Sequence, residues 1–153
     1  MFMKKPSTHT KTLPNAWYFE QVINTLAHDK KVKIPVTGDS MRPFLMNGDV
    51  VELHVPIGKE PKRGSIVLAY YNKKYVLHRV IRRKESRIWM AGDGNLGQIE
   101  VLPEADVRAI AYRAFRGRRS WACDTAMRRW LGIVWFGLRP WRRVWNKILK
   151  IIT

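Results

Sequence analysis

The stretch Gly38-Asp39-Ser40-Met41-Arg42-Pro43 puts a small hydroxyl residue on a glycine-led turn between two strand-like runs, KIPVTG and DVVELHV. A serine hydroxyl is a weak nucleophile at neutral pH unless an adjacent base accepts its proton. Histidine has the ordinary pKa for that task, and a desolvated lysine is the other candidate. His78 lies inside the alternating run KYVLHRVI, where a strand would hold it rigidly and shield it in part. Asp93, on the glycine-rich turn Gly92-Asp93-Gly94-Asn95, is an acid that could orient the imidazole and stabilise its protonated form. Ser40, His78 and Asp93 are therefore the candidate catalytic residues, and backbone amides near the Gly-x-Ser turn are natural oxyanion donors. Lys73 or Lys74 is the lesser alternative as base, because Asn72-Lys73-Lys74 reads as a hairpin turn. His9, His28 and His54 lack clustered partners, and no metal-ligand spacing occurs, so no metal and no cofactor are expected. Met41, Phe44, Leu45 and Met46 are core residues or the wall of a substrate groove.

The elements that must position these groups follow from the apolar patterning. At 153 residues the chain is expected to form one domain with an appendage. Residues 1–15 read as a flexible basic arm. Residues 16–30 carry Trp17, Val22, Ile23, Leu26 and Ala27 near helical spacing, with Asn15 as N-cap. Residues 31–116 hold the runs KIPVTG, DVVELHV, GSIVLAYY, KYVLHRVI, RIWMAG and DVRAIAYRAF, separated by glycine-containing turns. Short strands at this spacing predict a mainly β fold, a small antiparallel folded sheet or barrel, with an N-terminal helix and a C-terminal helical segment. Residues 16–116 would be the catalytic domain.

Composition changes abruptly at residue 117. Residues 117–153 contain five of the seven tryptophans (Trp121, Trp130, Trp135, Trp141 and Trp145), and Arg128, Arg129, Arg139, Arg142, Arg143, Lys147 and Lys150 accompany a single acid, Asp124. Pro140 divides this segment into two expected helices, roughly 121–138 and 141–151. Interleaved indoles and cations suit an interfacial helix on an anionic membrane surface. They also suit a partner groove, or nucleic acid as the less favoured polyanion; plain packing on the β core is the bland reading. The net charge of +17 points the same way, toward polyanions. Trp130 to Leu138, the longest apolar run, is too short to span a bilayer, which takes about 20 residues. Cys123 is the only cysteine, so no intrachain disulfide is possible. The N-terminal residues lack an apolar signal-peptide core, and the expected location is cytoplasmic, peripheral at the inner membrane face.

In these residues the chain resembles the signal peptidase I family and its relatives, the self-cleaving SOS-type repressors. Ser40-Met41-x-Pro43-x-Leu45-x-x-Gly48-Asp49 is similar to the nucleophile box of that clan, and Gly64-Ser65-Ile66-Val67-Leu68 to the next strand box, with serine where aspartate is commoner. His78-Arg79-Val80-Ile81 is similar to the general-base box of the histidine-type members, and Gly92-Asp93-Gly94-Asn95 to the "G-D-N-x" box. The four boxes occur in order across about residues 32–115. The resemblance implies a serine endopeptidase of signal-peptidase fold, with Ser40 as nucleophile, His78 as general base and Asp93 holding His78. Glu100 is the alternative acid, because in histidine-type members the assisting acid can lie several residues beyond the "G-D" pair. It also implies that Met41, Pro43, Phe44 and Leu45 line shallow substrate pockets, and that a signal or leader peptide-like segment binds as an added strand. Many members carry a serine two residues before the nucleophile; here that position is Gly38, so Thr37 or backbone amides would receive the oxyanion. Two other expectations remain: a repressor-like protein that cleaves itself, and a non-catalytic polyanion-binding module of the same fold. The chain before the serine box is short for a helix-turn-helix domain with a linker, and Ser40 with His78 argues against the non-catalytic module.

Overall fold

A computed structural model describes residues 15–56, 58 and 60–153; the expected basic arm and His9 lie outside them. The elements run α1 (Asn15–Asp29), β1 (Lys31–Pro35), β2 (Val50–His54), β3 (Ile66–Tyr71), β4 (Lys74–Lys84), β5 (Arg87–Ala91), β6 (Glu100–Pro103), β7 (Val107–Arg116), β8 (Arg119–Ala122), α2 (Ala126–Gly137) and α3 (Arg139–Ile152). Mainly β architecture with a helix at each flank is what the patterning predicts. The strands form one antiparallel sheet in the order β1-β2-β7-β3-β4-β5-β6, and β8 extends β7.

Two-residue hairpins set the register. Asn72 and Lys73 join β3 to β4, and Glu85 and Ser86 join β4 to β5, all four at positive φ. Paired positive φ gives the turn whose twist matches that of the flanking strands. Register shifts at Glu52/Leu53, Leu68/Ala69 and Val80/Arg82 break the ladders, and bulges of this kind increase local twist. The sheet curls, and α1 packs on both β1 and β4. Val22 and Leu26, one helical turn apart, are buried there with Ile34, Val36, Met41 and Leu45. A second cluster, with Val67, Val80, Ile88, Met90 and Leu102, fills the β3–β6 end. Asn15, the expected N-cap, is the first residue of α1. Its Oδ1 accepts the Tyr75 amide at 3.3 Å, tying the helix to β4.

The division expected at residue 116 falls inside the β7–β8 hairpin, so the segment beyond it opens as a strand and becomes helical only at Ala126. Thr125 caps α2 by accepting the Arg128 amide at 3.3 Å. Pro140 stands in the first turn of α3, where its missing N–H costs nothing. α2 is seated on the β core at a residue that tolerates no side chain: a β-carbon on Gly132 would overlap the Arg79 guanidinium.

The serine-bearing loop between β1 and β2 is anchored at its far end. Asp49, 2% exposed, accepts two bonds of 2.8 Å from Arg116 and one of 2.8 Å from the Met46 amide. The Arg116 bonds hold the Asp49 carboxyl below the usual carboxylate range, against the opposing effect of burial. A group with a lowered folded pKa stabilises the fold above its ordinary value, and that contribution is lost as pH falls through the lowered one. Thermal midpoints measured across the acid range should therefore fall less steeply in Asp49→Asn than in the native chain. Parallel curves would show that this ion pair has no part in acid stability.

Candidate active site

The turn carrying Ser40 is built by its own backbone: the Arg42 amide donates to Asp39 O at 3.1 Å and the Leu45 amide to Met41 O at 3.0 Å. Asn47 Oδ1 accepts the Gly38 amide at 3.0 Å, so that amide is already committed. The β5–β6 loop then closes on the turn. The Gly94 amide donates to Ser40 O at 2.8 Å, and Asn95 Oδ1 accepts the amides of Gly97 and Gln98 at 3.1 Å. Ser40 itself is exposed, and it lines a cleft of about 380 Å³ with Thr37, His78 and Glu100.

His78 meets this cleft from β4. It is 8% exposed, and its Nδ1 lies 3.0 Å from Glu100 Oε2, a carboxylate 2% exposed on β6. A carboxylate only accepts, so this bond places the ring proton on Nδ1 and leaves Nε2 with its lone pair. Nε2 lies on the side of Gly92 and the backbone of the Ser40 turn. The point where a β-carbon on Gly92 would stand is 2.5 Å from the Ser40 carbonyl oxygen and 3.2 Å from His78 Nε2. Only glycine fits between them.

Asp93 is not the acid bonded to the imidazole. Its carboxylate takes a fork of two 2.7 Å bonds from Arg79 Nε and Nη2, and Arg79 Nη1 donates to Gly64 O at 2.7 Å. The reason is the pleat: consecutive strand residues point to opposite faces, so His78 and Arg79 need separate acids. Arg79 is 1% exposed, with its guanidinium over the Phe44 ring at 4.8 Å and α2 above it. Burial pushes the Asp93 carboxyl up from its usual range, and the Arg79 bonds oppose that shift. Of the two acids weighed, Glu100 is the one on His78. No periodic signal marks it, since β6 is four residues long and ends at Pro103.

The expected substrate-wall residues separate in the same way. Met41 lines the cleft, whereas Leu45 is core, Phe44 packs on Arg79 and Trp135, and Pro43 lines a different hollow. The apolar cleft wall instead comes from Phe19 of α1, Ile34 and Val36 around β1, and Tyr75 and Leu77 of β4. The alternation of Ile34 with Val36 and of Tyr75 with Leu77 is readable in the sequence, but the curl that brings the two strands together is not.

The C-terminal helices hold the site's loop. Trp135 Nε1 and Arg142 Nη2 donate to Asp93 O at 2.9 and 2.8 Å, and Arg143 Nε donates to Leu96 O at 2.7 Å. Arg139, almost fully buried, reaches Gly92 O and Gln98 O at 3.4 and 3.3 Å. Ser65, where the strand box more often has aspartate, is buried and donates to Asp124 Oδ1 at 2.6 Å. Several arginines read as surface cations are thus internal donors, which no local pattern signals.

Competing centres are weak. His54 pairs with Glu52 at 2.6 Å and stacks on Tyr112, and Lys73 sits in the β3–β4 turn. Lys74 lines the same cleft. Burial pushes the Cys123 thiol up to about 11, which leaves it un-ionised and inert. Among the described residues no cluster of three or more His, Cys, Asp or Glu side chains could hold a metal.

No curated protein matches the chain closely enough to count as a relative. A family model does match: the description is Peptidase S24-like, and the match runs over residues 5–112. It takes in all four boxes, Ser40, His78 and Glu100. On that match, a chain with a serine and a histidine on one cleft, carried by a curled antiparallel sheet, belongs to the Peptidase S24-like family.

Proposed function

We propose that the protein is a serine endopeptidase in which Ser40 is the nucleophile, His78 the general base and Glu100 the acid that orients His78. The observation that carries this reading is the polarity of the imidazole: Nδ1 is bonded to buried Glu100 while Nε2 faces the Ser40 turn across Gly92. In the first step Ser40 Oγ bonds to the substrate carbonyl carbon as its proton passes to His78 Nε2. The tetrahedral intermediate collapses with cleavage of the C–N bond, and His78 returns the proton to the departing amine. Water then attacks the acyl-enzyme with the same proton shuttle and releases Ser40. We assign the oxyanion to Thr37 and to amides of the Ser40 turn, because Gly38 N–H is held by Asn47.

The substrate class that suits the cleft is an extended peptide of signal or leader type. β1 is an edge of the sheet and its residues line the cleft opposite β4, so an added strand has a free edge to pair with. A serine-directed acylating probe is expected to add one mass to the intact chain, mapping to the peptide that holds Ser40. Labelling of another residue, or none, would remove the nucleophile assignment.

Self-cleavage is favoured by one observation: Asn15, where the described chain begins, lines this same cleft. That reading requires a Ser40-dependent cut in residues 1–14 whose rate does not depend on protein concentration.

A further inference from the structure

We infer that the exposed face of α2 and α3 is a docking surface for an anionic lipid bilayer. On α3, Trp141, Val144, Trp145, Ile148 and Ile152 recur at three- and four-residue intervals, and all are exposed, Trp141 at 76%. That spacing puts them on one face of a helix. Trp130 at 63% and Val134 extend the apolar exposure onto α2. A monomeric soluble protein rarely leaves so much contiguous apolar surface bare. The segment lies beyond the family match, which ends at residue 112, so the match says nothing of this surface.

Charge selects the occupant. Lys147 and Lys150 are exposed on α3, and the chain carries +17 overall. A second copy of so basic a chain is repelled at this face, and an anionic surface is attracted. Nucleic acid would match the cations and the indoles, but not Val144, Ile148 and Ile152, for which a phosphate backbone has no use. Headgroups for the lysines, interfacial depth for the indoles and acyl chains for the aliphatic residues fit one bilayer. Arg139 and Arg142 turn inward to carbonyls of the protein, so on α3 the headgroups are met by Lys147, Lys150 and the exposed Arg143, while the indoles and aliphatic side chains add an apolar contribution that salt does not screen. Salt should weaken binding without abolishing it. No described helix is long and apolar enough to cross a membrane, so the helices would lie in the interface.

The face also borders the site. Trp141, Val144, Trp145 and Ile148 form one wall of a hollow of about 990 Å³ whose other wall is Arg42, Pro43, Gly94 and Leu96. A bilayer on this face would therefore lie beside the Ser40 turn. The docking itself is independent of Ser40 chemistry.

The test is flotation of the full chain, in a Ser40→Ala background, with vesicles of phosphatidylcholine alone or mixed with phosphatidylglycerol. The mixed vesicles should bind it, and brominated acyl chains should quench its tryptophan fluorescence. Trp141→Ser/Trp145→Ser/Ile152→Ser should weaken binding about tenfold or more, with the circular dichroism of the parent chain. Lys147→Gln/Lys150→Gln should weaken binding to the mixed vesicles alone, by about tenfold or more. The proposal falls if the parent chain neither floats nor is quenched, or if a folded triple variant floats as well as the parent. It falls equally if the triple variant abolishes a dimer seen by sedimentation, or lowers affinity for duplex DNA as much as for vesicles. Should the triple variant misfold, quenching of the parent chain decides.

Discussion

Replacing His78 with alanine is expected to slow acylation of Ser40 by about 10²–10⁴-fold, the scale of a general base. In the native chain the rate should fall as the solution is acidified, because a protonated imidazole has no lone pair with which to take the serine proton. Glu100→Gln should approach the same loss by a different route. The carboxylate only accepts, so it holds the proton on Nδ1; a glutamine amide can donate to Nδ1 and force the proton onto Nε2, where the acceptor is needed. The buried volume hardly changes, so the thermal midpoint should stay near that of the parent chain. Acylation rates followed against pH for parent, His78→Ala and Glu100→Gln check this. If His78→Ala keeps its activity and the profile still climbs in alkaline solution, a lysine such as Lys74, which lines the cleft, is the base instead.

Asp93→Ala is expected to act on stability. Arg79, 1% exposed, would lose both bonds of its fork while remaining charged beneath α2. Removing one partner of a buried ion pair typically costs about 3–5 kcal/mol. For a chain of this size that corresponds to a fall in thermal midpoint of the order of 10 °C. Replacing both charges, as in Arg79→Met/Asp93→Leu, should recover part of the loss, because no uncompensated charge is left. Thermal unfolding of the single and double variants reads this directly. An unchanged midpoint in Asp93→Ala, with slower acylation and an altered pH profile, would return Asp93 to the imidazole and overturn the separation of the two acids.

That separation shows where sequence and tertiary structure divide. Ser40 and His78 stand in short boxes whose residue types and order are local facts, and the strands around them are legible because apolar residues alternate and turns punctuate them. The Asn72-Lys73 turn between β3 and β4 and the break at Pro140 are legible for the same reason: each is settled by the conformations of a few adjacent residues. The acid on His78 is not. Asp93 and Glu100 are only seven positions apart, and the pleat of β4 decides which faces the imidazole and which the guanidinium one residue on. The cleft wall is equally non-local, because β1 and β4 face one cleft only after the sheet has curled under α1. Residues 117–153 carry the same lesson in charge. Composition alone makes Arg139 and Arg142 surface cations, whereas in the fold they turn inward and donate to carbonyls of residues 92–98. A sequence displays which groups can donate and accept; only packing brings a donor and an acceptor 47 or 49 residues apart to within bonding distance of each other.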